Sequence, residues 1–184
     1  MKNDIYSRIE RLANLLRHET RAAGLSMGLQ PIHQETLHYL ASCNRYSDTM
    51  LAVTEYLGLT KGTVSQTLKV LENKALISRE KDKNDKRITH LTVTKQGRTF
   101  LAQTAPPDKF SQALVHLSAN ERQQAKSLLE KMLSSYQQVT GRNAFGVCSQ
   151  CQYNQQTETG LLCGLTKEAL TKADSQLICR EYLE

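Results

Sequence analysis

Residues 49–97 read "TMLAVTEYLGLTKGTVSQTLKVLENKALISREKDKNDKRITHLTVTKQG". A short apolar segment runs from Thr49 to Leu57 and is stopped by Gly58. Thr60 then stands where an N-cap belongs, and Val64, Leu68 and Leu71 follow at helical spacing as far as about Lys74. Two helices joined by a tight glycine turn give residues 49–74 the shape of a helix–turn–helix. After Lys74 the pattern changes. "LISREK" and "RITHLTV" favour strands and flank the polar turn "DKNDK", which predicts a β-hairpin over residues 76–93.

The second helix has one face to bury and another to display. Thr60, Lys61, Gly62, Thr63, Ser65, Gln66 and Lys69 lie at its start and on its polar face, and no acidic residue appears before Glu72. A helix that enters the major groove needs few carboxylates and side chains able to reach base edges or phosphates. Gln66 suits adenine, Lys61 and Lys69 suit phosphate or guanine, and Gly62 lets the backbone come close. The hairpin adds Arg79, Lys86 and Arg87, with Arg87 placed to enter a minor groove. Asp85 either holds that arginine or shapes the turn through its own backbone. A generic solvated helix and hairpin would carry the same residue types.

Charge supports a polyanion partner. The chain has 24 Lys and Arg against 18 Asp and Glu, and the whole excess of six lies between Lys61 and Arg98. No stretch approaches the ~20 apolar residues of a membrane span. The N-terminal "MKNDIYSRIERLANLL" is charged throughout and lacks the apolar core of a signal peptide, so the reducing cytoplasm is the expected compartment and no membrane partner is expected. With no tryptophan and 5% aromatic residues, the core must be mainly aliphatic.

From Leu71 to Gly97 the residues resemble the signature of the MarR family of bacterial winged-helix regulators. Leu71, Glu72, Leu76, Ile77 and Arg79 match its run after the recognition helix; Asp85 and Arg87 match its wing tip; Thr94 and Gly97 match its exit into the next helix. Ala75 stands where the family has glycine, and Val93 where it has leucine. "HLSANE" at residues 116–121 resembles the start of the family's last helix. The resemblance implies a mainly α fold with a small β-hairpin wing (α+β), in which N- and C-terminal helices form a dimerisation region. It implies a homodimer whose two recognition helices meet successive major grooves of a double-stranded DNA operator.

The flanking segments are compatible with that plan. Ile5, Ile9, Leu12 and Leu16 predict an amphipathic helix over about residues 4–23, and Pro31 opens a second helix that reaches about Cys43. Gly97 precedes a helical stretch that Pro106 and Pro107 interrupt. "SANE" at residues 118–121 is a capping box, and it opens a helix with Leu128, Leu129, Met132, Leu133 and Tyr136 on one stripe. Scattered histidines, with no phosphate loop and no nucleophile–base arrangement, argue against an enzyme.

Residues 145–184 fall outside the family pattern. They carry Cys148, Cys151, Cys163 and Cys179 as C-x2-C-x11-C-x15-C. In a reducing compartment such clustering points to metal ligands or redox-sensing thiols ahead of disulfides. A segment of about 40 residues is also too short for a core of its own and needs a staple. Four thiolates suit Zn2+, the favoured ion, and also suit an iron–sulfur cluster. "TKEALTKADSQLI" at residues 166–178 predicts a helix between the last two cysteines. Cys43, far from the others in sequence, reads as a core thiol.

The expected protein is therefore a DNA-binding repressor, with a domain at residues 1–144 and a cysteine-rich tail at 145–184. A small-molecule effector, a metal or a redox change would release it. The rival reading is a redox- or metal-responsive protein-interaction module with a vestigial winged helix.

Overall fold

Val64, Leu68 and Leu71, the apolar stripe of the second helix of the motif, are all fully buried in the computed structural model, which describes residues 4–183. The elements around them follow the local signals. Helix α1 spans Asp4–Gly24 and α2 Pro31–Ser42, with Pro31 in the first turn. Helix α3 spans Met50–Leu57; the Thr49 hydroxyl caps it by accepting from the Ala52 N–H, and Gly58 ends it at φ 65°. Helix α4 spans Lys61–Asn73, and the Thr60 hydroxyl accepts from the Thr63 N–H. Strands β1 (Ile77–Lys81) and β2 (Thr89–Val93) pair antiparallel with Ile77 opposite Val93. Helices α5 (Lys95–Thr104), α6 (Asp108–Leu114) and α7 (Ala119–Thr140) follow.

The fold is mainly helical with small antiparallel sheets, as expected, and the core is aliphatic. Leu37, Val53, Leu76 and Leu91 join the α4 stripe with almost no exposure. Tyr39, Phe100 and Phe145 are the core's aromatic members, and Tyr39 donates its hydroxyl to the Ser47 carbonyl at 2.8 Å. Burial of this kind contributes about 1.5–3 kcal/mol per large apolar side chain.

Two local details depart from the sequence reading. Gly97 lies inside α5 rather than before it, because the Thr94 hydroxyl caps the helix by accepting from the Gly97 N–H at 3.1 Å. An added Cβ at Gly97 would sit 2.3 Å from the Leu76 carbonyl oxygen, so this glycine is required by the close approach of α5 to the start of β1. Ala75, in place of the family's glycine, adopts φ 53° in the left-handed region. Helix α6, after Pro106 and Pro107, had no clear signal in the sequence.

The tail is a set of short strands. Strand β3 (Gly146–Val147) pairs with β7 (Ile178–Cys179), and β4 (Asn154–Thr157), β5 (Gly160–Cys163) and β6 (Ala169–Leu170) form a three-stranded sheet. The predicted helix between Cys163 and Cys179 is absent from these described residues. Lys167 takes φ 61°, which a helix cannot continue through, and Ala169–Leu170 is drawn into the sheet beside β5. Asp174 and Thr171 then cap each other's backbone N–H groups and close a short 3-10 turn. Phe145 docks the tail on the helices: its ring lies edge-on to Tyr56 at 5.2 Å and to Tyr39 at 6.1 Å.

Two helices keep their apolar faces in the open. On α1, Ile5, Ile9, Leu12 and Leu15 are exposed; on α7, Leu129 is 57% and Tyr136 68% exposed, and no described residue of α7 is buried. Among the described residues no helix is long and apolar enough to cross a membrane.

The strain at Ala75 is testable. Ala75→Gly relieves the left-handed conformation and should raise unfolding stability by about 0.5–1 kcal/mol, net of the extra freedom glycine gains in the unfolded chain. Urea denaturation at unchanged m-value measures it, and an unchanged or lower midpoint would show that Ala75 sits there without penalty.

Candidate nucleic-acid interface

The cap at Thr60 fixes which way α4 faces. With Val64, Thr67, Leu68 and Leu71 buried beneath, Thr60, Lys61, Gly62, Thr63, Ser65, Gln66 and Lys69 all stand exposed on one side. Gly62 faces open space: an added Cβ would meet only the Thr60 hydroxyl, at 3.9 Å. The first acidic residue on the helix, Glu72, is neutralised by Arg79 of β1, whose Nε donates to Oε2 at 2.9 Å. Arg79 thus ties the helix to the hairpin.

The wing tip is organised by two aspartates. Asp82 accepts from the backbone N–H groups of Asn84 and Asp85, both at 2.7 Å, which makes the turn. Asp85 accepts from the Arg87 guanidinium, Nη2 to Oδ2 at 2.7 Å and Nε to Oδ1 at 2.9 Å, and also from the Arg87 backbone N–H. Asp85 performs both roles open to it, holding the guanidinium and, with Asp82, shaping the turn through backbone N–H groups. The Arg87 side chain nevertheless remains 90% exposed, so it is held in direction yet accessible. Its guanidinium holds the Asp85 carboxyl below the usual carboxylate range. The Lys86 ammonium folds back to the Asp82 carbonyl at 3.1 Å.

A residue that sequence reasoning set aside connects the wing to the helices. His90, on β2, lies between Asp48 (2.6 Å from Nδ1) and Asp82 (3.2 Å from Nε2). Asp48, just before α3, also gives its carbonyl to the Leu91 N–H at 2.8 Å. The Asp48 carboxylate raises the His90 pKa above its ordinary 6.5 against the opposing effect of partial burial, and Asp82 adds to the rise. Asp48 shifts upward too, because its own burial outweighs the pull of His90. Two aspartates 34 positions apart flanking one histidine leave no local sequence signal.

Further surfaces lie away from α4. Leu16, Thr20, His38, Tyr56, Leu101 and Phe110 line a cleft of about 470 Å³ between the N-terminal helices and α5–α6, within the size range of small-molecule sites. In the tail, Cys148, Cys151, Cys163 and Cys179 all border one small hollow, and all are free thiols. Cys43 lies outside it in the core, its thiol pushed up to about 12 by burial, with Asp48 adding to the shift.

A sequence profile of the MarR family matches residues 27–88. The transcriptional repressor MprA of Escherichia coli K12 is 31% identical over 85 residues, 45% of this chain and 48% of MprA. The chain thus spans about half the length of the curated relatives it matches. The Staphylococcus aureus protein MepR, solved in complex with DNA, is 32% identical, with 71% of this chain and 97% of MepR covered at a TM-score of 0.57. MepR in its DNA-binding conformation, also 32% identical, gives a TM-score of 0.61 over 72% of this chain and 98% of MepR. A MarR transcriptional regulator from Methanosarcina mazei Go1, 17% identical, shares the fold at a TM-score of 0.64, over 75% of this chain and 99% of that one.

The His90 bridge has a signed pH dependence. A histidine pKa raised by folding stabilises fully below about 6.5 and ceases to do so as pH climbs through the folded value. The Asp85 and Asn84 N–H groups hold the Asp82 carboxyl below its ordinary range, so it adds no slope there. Unfolding stability should therefore fall as pH rises above about 6.5, and His90→Gln should flatten that slope. An identical slope in the variant would remove the bridge from the wing's support.

Proposed function

The chain belongs to the MarR family, and we propose that it is a homodimeric transcriptional repressor that occupies a double-stranded DNA operator. The observation that carries this reading is the joint exposure of the α4 polar face and the Asp85-held Arg87, with the only acidic side chain of α4 neutralised by Arg79. A major groove would take the rod of Lys61, Thr63, Ser65, Gln66 and Lys69, and the adjoining minor groove would take Arg87. The family kinship, and the DNA complex solved for MepR, support the same reading.

The open stripes on α1 and α7 support dimerisation. Two apolar helix faces of this length on one chain exceed the scattered exposure ordinary for a monomer, and a second copy offers the same stripes in return. A small molecule in the cleft between α1, α2 and α5 would act by altering the spacing of the two recognition helices.

Two variants test the reading. Arg87→Ala should weaken binding to duplex operator by roughly ten- to a hundredfold, since it also leaves Asp85 uncompensated beside phosphate. Affinity of the unaltered protein should fall steeply with salt; a flat response would favour the protein-interaction reading. Leu133→Glu should convert the dimer to a monomer in sedimentation and abolish high-affinity binding. A dimer that survives this change would move the interface elsewhere.

A further inference from the structure

The tail brings four thiols from four separate segments to one hollow. Cys148 and Cys151 flank a 3-10 turn, Cys163 ends β5 and Cys179 ends β7. Two of the sulfurs are met by hydrogen-bond donors. The Asn154 side-chain amide donates to Cys148 at 3.4 Å, and the Leu183 backbone N–H to Cys151 at 3.4 Å. Asn44 and Thr166 share the lining of the hollow with the four thiols. A buried neutral thiol has little use for such a shell, whereas a metal-bound thiolate is oriented and stabilised by it.

The size of the hollow discriminates between occupants. Sulfurs drawn to one zinc at ~2.3 Å stand ~3.8 Å apart in a tetrahedron and leave no room between them. Here the hollow holds about 20 Å³, enough to admit a water-sized sphere. Among the described residues no group of three or more His, Cys, Asp or Glu side chains is set to hold a single metal ion. Four cysteines arranged around a space, rather than on a point, match the needs of an inorganic cluster with its own bridging sulfides.

We infer that Cys148, Cys151, Cys163 and Cys179 ligate an iron–sulfur cluster, and that the cluster-loaded tail braces the DNA-reading helices. The brace consists of visible contacts. Asn44 donates its backbone N–H to the Ile178 carbonyl at 2.9 Å, and Arg180 donates its own to the Ser47 hydroxyl at 2.8 Å. The Arg180 guanidinium grips Glu55 of α3, Nε to Oε2 at 2.5 Å and Nη2 to Oε1 at 3.1 Å. Arg45 and Tyr46 together hold Glu168 from the other side of the hollow. A tail this short, with few buried apolar groups, cannot keep these contacts without its staple.

The brace rests on the proposed regulator function; the cluster itself does not. The test uses full-length protein purified without oxygen and loaded with ferric iron, a thiol reductant and sulfide. Iron and acid-labile sulfide should then co-purify with the chain and give a brown, thiolate-to-iron absorbing species. Cys148→Ser and Cys163→Ser should each lose it, while Cys43→Ser, altered outside the hollow, should keep it. Zinc bound without sulfide, or retention of the cluster in Cys163→Ser, would overturn the assignment. Cluster-loaded protein should bind operator roughly tenfold more tightly than cluster-free protein, and Arg180→Ala should narrow that gap without loss of colour. Equal affinities would overturn the brace and leave the cluster standing, whereas a coloured protein with no affinity for DNA would instead refute the regulator function.

Discussion

The turn between α2 and α3, residues 43–48, is the joint on which the molecule depends. Its backbone and side chains answer to three parts of the chain at once. Ser47 gives its carbonyl to the buried Tyr39 of α2 and its hydroxyl to the Arg180 N–H of the tail. Asp48 gives its carbonyl to Leu91 of the wing and its carboxylate to His90. Asn44 holds Ser47 through its side-chain oxygen at 2.8 Å while its backbone pairs with Ile178. Buried polar groups of this kind are costly unless every partner is present, so the turn has one arrangement that satisfies all of them. Among the described residues, no buried side-chain polar atom lacks a partner.

The helices above the joint are supported by packing rather than by propensity. Helix α4 contains Gly62, three threonine or serine residues and two valines, a composition that would be marginal alone. What keeps it helical is the burial of Val64, Leu68 and Leu71 and the Thr60 cap. The display face is thereby free to hold residues chosen for contact with a partner, and the aliphatic core can remain small.

The helix–turn–helix and wing were legible in the sequence because their signals are local. Caps at Thr60 and Ser118, the stop at Gly58 and the switch from helical to alternating pattern at Leu76 each depend on residues a few positions apart. The tail was not legible for the opposite reason. Its strands have two to four residues, too short for a period to show, and their partners are far along the chain. "TKEALTKADSQLI" has helical composition but yields to sheet pairing at Ala169–Leu170 and to the left-handed Lys167. The convergence of the four cysteines followed from their number and spacing; the donors Asn154 and Leu183, and the Arg180–Glu55 clamp, required the tertiary structure.

The pairing of Arg180 with Ser47 spans 133 residues, and this sets an order of events during synthesis. The turn at 43–48 leaves the ribosome long before Cys179 is made, so one wall of the hollow is in place while the last thiol is still missing. At the usual rates of elongation the helical portion has several seconds to fold before that thiol appears. The hollow can therefore close only after the turn that forms one of its walls has been made.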